Sequence, residues 1–189
     1  MKVSLVSVVH QELGAVRDHL MTMVEPLTQE ELWWVPPRPD GTAISYHIGH
    51  IGRVEDTRVS QSQKERLLGP QAYSKLFGVA NNSNSEAVFP SREEILAYLT
   101  HARTRTLALL DTLRLNAPPS VKCLAAADLF RRIINHEYSH TKYIRRLLGE
   151  QGKNIDFPPP SARVEVKPKA VAAPQYFIPN WSREELSPP

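Results

Sequence analysis

The sequence predicts an all-α protein, a four-helix bundle with a long connection between its second and third helices and a Pro-rich C-terminal extension. Apolar residues recur at three- and four-residue spacing in four separate stretches. Two of the helical segments open on a capping box, a Ser or Thr followed three residues later by Glu. No stretch alternates with the period of two that a half-buried strand needs. The 189 residues, 41% hydrophobic and 23% charged, are ordinary for one soluble domain with a real core.

The first long helix is expected from Ser4 to Val24, with Val6, Val9, Leu13, Val16, Leu20 and Met23 on its apolar face. Gly14 weakens it without ending it, and Pro26 closes it. Thr28 and Glu31 form a capping box that opens a short helix through Trp34. Residues 36–41 are loop by composition. A second long helix should run from about Ala43 to Leu68, stopped by Gly69-Pro70. Ala43, His47, His50, Val54 and Thr57 share one of its faces, and Ile44, Ile48 and Ile51 fill the adjoining stripe.

Residues 69–90, polar around Asn81-Asn82-Ser83-Asn84-Ser85, are too long for a tight helix hairpin. Ser91 and Glu94 form the second capping box. The third long helix follows to about Leu115, its seam marked by Ile95, Tyr98 or Leu99, Ala102, Thr106, Leu109 and Leu113. After a break at 116–120, the fourth should span about Leu124 to Gly149. Its seam reads Leu129, Ile133, His136, His140, Tyr143 or Ile144, and Leu147. Eight of the 16 prolines lie in 153–189, so the bundle is assigned to 1–152 and an extended tail to the rest. Tyr176, Phe177 and Trp181 suggest that the tail docks on the bundle or on a second subunit.

Net charge is +3, with basic residues dispersed, so no nucleic-acid partner is expected. No apolar run approaches the roughly 18–20 residues that span a bilayer. The N-terminus lacks the apolar core and cleavage site of a signal peptide. The single cysteine, Cys123, excludes an internal disulfide and suits a reducing compartment, so a cytoplasmic location is expected.

His136 and His140 stand four apart, so both imidazoles leave the same face of the fourth helix and can grip one ion. Two imidazoles in that arrangement suit zinc or nickel. On the second helix, either His47 or His50 could supply a third ligand. Three histidines leave coordination positions open for water or substrate, the pattern of a catalytic site.

His136-Glu137-Tyr138-Ser139-His140 also satisfies HExxH, in which the glutamate of zinc peptidases is the general base. Those enzymes usually pair the helix with a sheet that holds the peptide, and no strand is expected here, so the peptidase reading ranks last. Glu137 is about 100° round the helix from His136, placed to orient a ligand, touch the metal's water or face solvent. Trp33 and Trp34 are expected to pack, and Arg131, Arg132, Arg145 and Arg146 to be solvated or to touch the tail. Cys123 reads as a buried thiol, and His10, His19 and His101 as surface or rim residues.

Residues 27–34 (Leu-Thr-Gln-Glu-Glu-Leu-Trp-Trp), 45–55 (Ser-Tyr-His-Ile-Gly-His-Ile-Gly-Arg-Val-Glu) and the HxxxH of 136–140 resemble the DinB/YfiT-like superfamily. The likeness covers roughly residues 1–150 in the family's order. It implies a four-helix bundle holding a divalent metal on three histidines. The helix-two ligand falls on His50, which opens an H-[IL]-x-x-x-E stretch. His47 is then a neighbour behind the ligands, lining the pocket, or an alternative ligand.

Members include transferases and isomerases that use low-molecular-weight bacterial thiols, and the metal-binding part of sulfoxide-forming iron enzymes. The resemblance therefore implies an enzyme whose zinc, nickel or iron activates a bound thiol or water for transfer or hydrolysis on a small molecule. A homodimer is expected on the same ground. The alternative is a metal- or ligand-binding module without turnover, working through a partner.

Overall fold

A computed structural model describes residues 5–38, 41–78, 89–114 and 121–153. Six helices and no strand occur among them: α1 (Leu5–Val24), α2 (Gln29–Trp33), α3 (Ile44–Gln63), α4 (Gln71–Leu76), α5 (Arg92–Arg114) and α6 (Val121–Glu150). None is long and apolar enough to cross a membrane. The proposed extended tail lies outside the described residues, as do the Asn-rich stretch of the long connection and the Cys123 side chain.

Both capping boxes form. The Glu31 N–H donates to Thr28 Oγ1 at 3.3 Å while the Thr28 N–H donates to Glu31 Oε2 at 2.8 Å. Ser91 and Glu94 make the same exchange at the start of α5. Each box satisfies two amides that the first helical turn leaves without partners.

Two features depart from the sequence reading. Helix α3 ends at Gln63 rather than near Leu68. Lys64 takes the left-handed conformation (φ 57°) and the Glu65 N–H closes on the Ser60 carbonyl at 3.0 Å, a C-terminal cap that stops the helix before Gly69-Pro70 is reached. The buried Asp56 carboxylate then holds the returning chain, accepting the Leu68 and Gly69 N–H groups at 2.9 and 3.2 Å and the Tyr98 hydroxyl at 3.1 Å. The connection read as loop also contains α4.

The four long helices pack so that each lies chiefly against two others, in the cyclic order α1, α5, α3, α6. Their buried residues form two apolar clusters. The larger includes Leu20, Met23, Ile48, Ile51, Phe77, Leu99 and Ile144; the smaller holds Leu13, Val59, Leu110, Phe130 and Ile133.

Between the clusters lies a charged layer with one residue from each long helix: Arg17, Glu55, Arg103 and Glu137, all buried. Arg17 Nε meets Glu137 Oε1 at 2.7 Å and its Nη2 meets Glu55 Oε2 at 2.7 Å. Arg103 Nη2 pairs with Glu137, and Arg103 Nε lies 2.9 Å from Glu55 Oε1. The two arginines also exchange backbone support. Arg17 Nη1 donates to the Leu99 carbonyl at 2.6 Å and Arg103 Nη1 to the Leu13 carbonyl at 2.5 Å. Each thus binds the carbonyl four residues before the other arginine. Burial opposes ionisation of Arg17, but Glu137 and Glu55 outweigh it and raise its pKa above the usual value.

Candidate metal centre

The layer corrects the reading of α6. Its buried stripe runs Phe130, Ile133, Glu137, Thr141, Ile144 and Leu147, so Glu137 occupies the seam position expected for histidine. His136 and His140 sit one step off the seam, half-buried. Tyr143, an alternative seam residue, is 56% exposed. Glu137 does not face solvent: Arg17 and Arg103 engage both of its oxygens. A carboxylate held by two guanidiniums in the core is no general base, and no sheet is present among the described residues to hold a peptide. The HExxH motif is a formal match only.

Helix α3 runs antiparallel to α6 at this level, with His47 against His140 and His50 against both His136 and His140. The candidate ligand nitrogens of His50, His136 and His140 all lie within 4.8 Å of one another, and among the described residues no carboxylate joins them. Tetrahedral ligands about 2.1 Å from zinc would sit roughly 3.4 Å apart, so small side-chain rotations close the cluster on an ion. An all-imidazole set suits zinc, nickel or iron and not magnesium or calcium.

His50 is pre-set for that role. Its Nδ1–H donates to the Phe77 carbonyl at 2.7 Å, which leaves the Nε2 lone pair free. The carbonyl gets there because Gly49 has no side chain: a Cβ at 49 would overlap the Phe77 ring, which packs against α3 at that point. Arg53 Nε donates to the same oxygen at 3.1 Å.

His47 stands behind the triplet, outside it. Its Nδ1 is 2.8 Å from His140 Nδ1 and its Nε2 is 2.9 Å from Thr42 Oγ1. Its ring stacks on Tyr143 at 5.7 Å. If His140 donates from Nδ1 to His47, and His47 donates from Nε2 to Thr42, the His140 Nε2 lone pair is free for an ion. The reverse chain places a proton there.

Burial, reinforced by the neighbouring rings, pushes His47 and His136 down to about 3 and His140 down to about 4. Burial also lowers His50, against the Phe77 hydrogen bond that raises it. Arg53 and Arg58 add to the depression of both His50 and His136. Neutral imidazoles are the form that binds metal.

The supporting residues in the connection, Phe77 above all, were missed in the sequence because a backbone carbonyl carries no residue-type signal. Arg17 and Arg103 had a signal: arginines at seam positions, four residues after Leu13 and Leu99. Trp33 packs on Phe89 with ring centroids 4.6 Å apart, and Arg131 and Arg132 pair with Asp128 on the surface.

An all-helical fold with three converging imidazoles, one on the second long helix and two on the last, defines a class of helical proteins with a candidate metal centre. The chain belongs to the DinB superfamily, whose family model matches residues 12–144, a span that includes all three histidines and the whole charged layer. A solved structure, described as a conserved protein from Enterococcus faecalis, is similar at 15% identity and a TM-score of 0.52. The match covers 79% of this chain and 99% of that one, and shows the fold alone. No curated protein matches the chain.

Proposed function

We propose that the chain is a metal-dependent enzyme on a DinB/YfiT-type four-helix bundle (residues 1–152), with a divalent ion held by His50, His136 and His140. One observation carries the reading: three neutral imidazoles from two helices converge, one with its tautomer fixed by a backbone carbonyl. A bound zinc, nickel or iron would lower the pKa of a thiol or water on its open positions and create a nucleophile near neutral pH. Thiol-dependent transfer or hydrolysis on a small molecule is the corresponding reaction.

The chain's own contribution is positional and electrostatic. Phe77 orients His50, the His47–Thr42 pair orients His140, and the nearby Arg53 and Arg58 charges favour an anionic ligand such as a thiolate. The homodimer and the docked tail, 153–189, belong to the same proposal.

Elemental analysis of untagged protein beside His50→Ala and His136→Ala tests it. About one zinc, nickel or iron per chain, lost in both variants, is expected for an open three-histidine site. An ion retained in full by His50→Ala refutes the ligand set. No ion, even after soaking, leaves the module without turnover as the better reading.

A further inference from the structure

We propose that the Arg17–Glu55–Arg103–Glu137 layer fixes the axial register of α3 against α6, and so sets the convergence of the three histidines. This rests on the metal reading above and adds four positioning residues to it. Glu55 is five residues from His50 on α3, about 7.5 Å along the axis. Glu137 adjoins His136 and precedes His140 by three on α6. The carboxylates therefore lie on the two helices that carry the imidazoles, and both arginines bridge them.

The apolar seams cannot specify register as sharply. Above and below the layer, α3 and α6 meet through Ile, Leu, Val and Phe, and such surfaces tolerate repacking provided volume is kept. Displacement of α3 against α6 by one turn, about 5.4 Å, would carry Glu55 or Glu137 away from the guanidiniums that hold both, and leave buried charge without its partner. A charged layer between apolar ones selects register by this penalty, and selection of register is the best-attested use of buried ionic groups. The same principle holds that such a layer contributes little net stability compared with apolar residues of equal volume. Register and stability should therefore separate experimentally.

The test compares wild type with Arg17→Met/Glu55→Leu/Arg103→Met/Glu137→Leu. Three quantities are read: the urea midpoint, cobalt affinity by chelator competition with its visible spectrum, and a metal-free distance. For the last, nitroxides on Gln61→Cys and Ser139→Cys in a Cys123→Ser background report α3 against α6. The apolar variant is expected to fold with an unchanged or higher midpoint, to bind cobalt about 10–100-fold more weakly, and to show a broadened or displaced distance distribution.

Arg103→Lys covers failure of that variant to fold. It keeps the charge but cannot bridge both carboxylates and the Leu13 carbonyl, so it should weaken cobalt binding, while Arg105→Lys, on the same helix but paired with Asp56 at 3.1 Å and with Glu65, should not. Wild-type cobalt affinity and an unchanged distance distribution in the apolar variant overturn the proposal. So does equal cobalt binding by Arg103→Lys and wild type. Wild type that binds no metal refutes the metal reading, and with it the link to the histidines; the metal-free distance still decides the register claim.

Discussion

Replacing Glu137 by glutamine keeps the side chain's shape and removes one of the two negative charges facing Arg17 and Arg103. The layer passes from two charges of each sign to two positive and one negative. None of its four side chains is more than 8% exposed, so water cannot take over the lost partner. Breaking a buried ion pair from one side costs about 3–5 kcal/mol, a large share of the roughly 5–15 kcal/mol that holds a domain together. With a urea m-value of about 2 kcal/mol/M, the midpoint should fall by about 1.5–2.5 M. Asp128→Asn is the comparison. It removes contacts of 2.5 and 2.6 Å to Arg131 and Arg132, but at the surface, where such pairs contribute about 0–1 kcal/mol. Its midpoint should move by less than about 0.5 M. The assay is urea unfolding followed by far-ultraviolet circular dichroism, on chelator-treated protein near neutral pH. A Glu137→Gln midpoint within about 0.3 M of wild type would refute the buried-charge reasoning. A Glu137→Gln protein that was stable but inactive would revive Glu137 as a base.

Gly49→Ala should cost about 1–3 kcal/mol by forcing the Phe77 ring outward, and should weaken metal binding as the Phe77 carbonyl leaves His50. Gly14→Ala, with open space at its Cβ position, should instead stabilise α1 by about 0.5–1 kcal/mol; parallel thermal melts check both. His47→Gln should weaken metal affinity about 10–100-fold without abolishing it, measured by chelator competition, and complete loss would make His47 a ligand. The acid response of the stripped protein follows from the depressed histidines. Folded His47, His136 and His140 stay neutral down to about 3, 3 and 4, while the unfolded chain takes up protons near 6.5. Their contribution is therefore complete above about pH 6.5 and is lost as pH falls toward 4 and 3. Urea midpoints across that window should drop more steeply in wild type than in His47→Gln/His136→Gln/His140→Gln, and parallel slopes would refute the assignment.

Periodicity and caps made the helices legible. Val6 to Met23, Thr28 with Glu31, and Ser91 with Glu94 are local signals, and local hydrogen bonds answer them. His136 and His140 were legible as a pair from their i, i+4 spacing, which left the third ligand open between His47 and His50; the family resemblance placed it on His50. The end of α3 was not, because Lys64 in a left-handed cap has no strong residue signature and the Asp56 node is a tertiary contact. Glu137 was misplaced for a related reason. A charged residue on a helix seam reads as surface until its partners are known, and those partners lie on two other helices.

The separation of those partners bears on how the chain is made. Arg17 and Glu137 are 120 residues apart, so at a synthesis rate of about 5–20 residues per second their meeting waits roughly 6–24 s. During that interval α1, α3 and α5 can emerge carrying Arg17, Glu55 and Arg103, an arrangement with one positive charge too many to bury. A dry core closed without α6 would bury that surplus charge unpaired, at a cost of several kcal/mol. The last helix completes the fold by supplying the missing carboxylate, together with two of the three imidazoles.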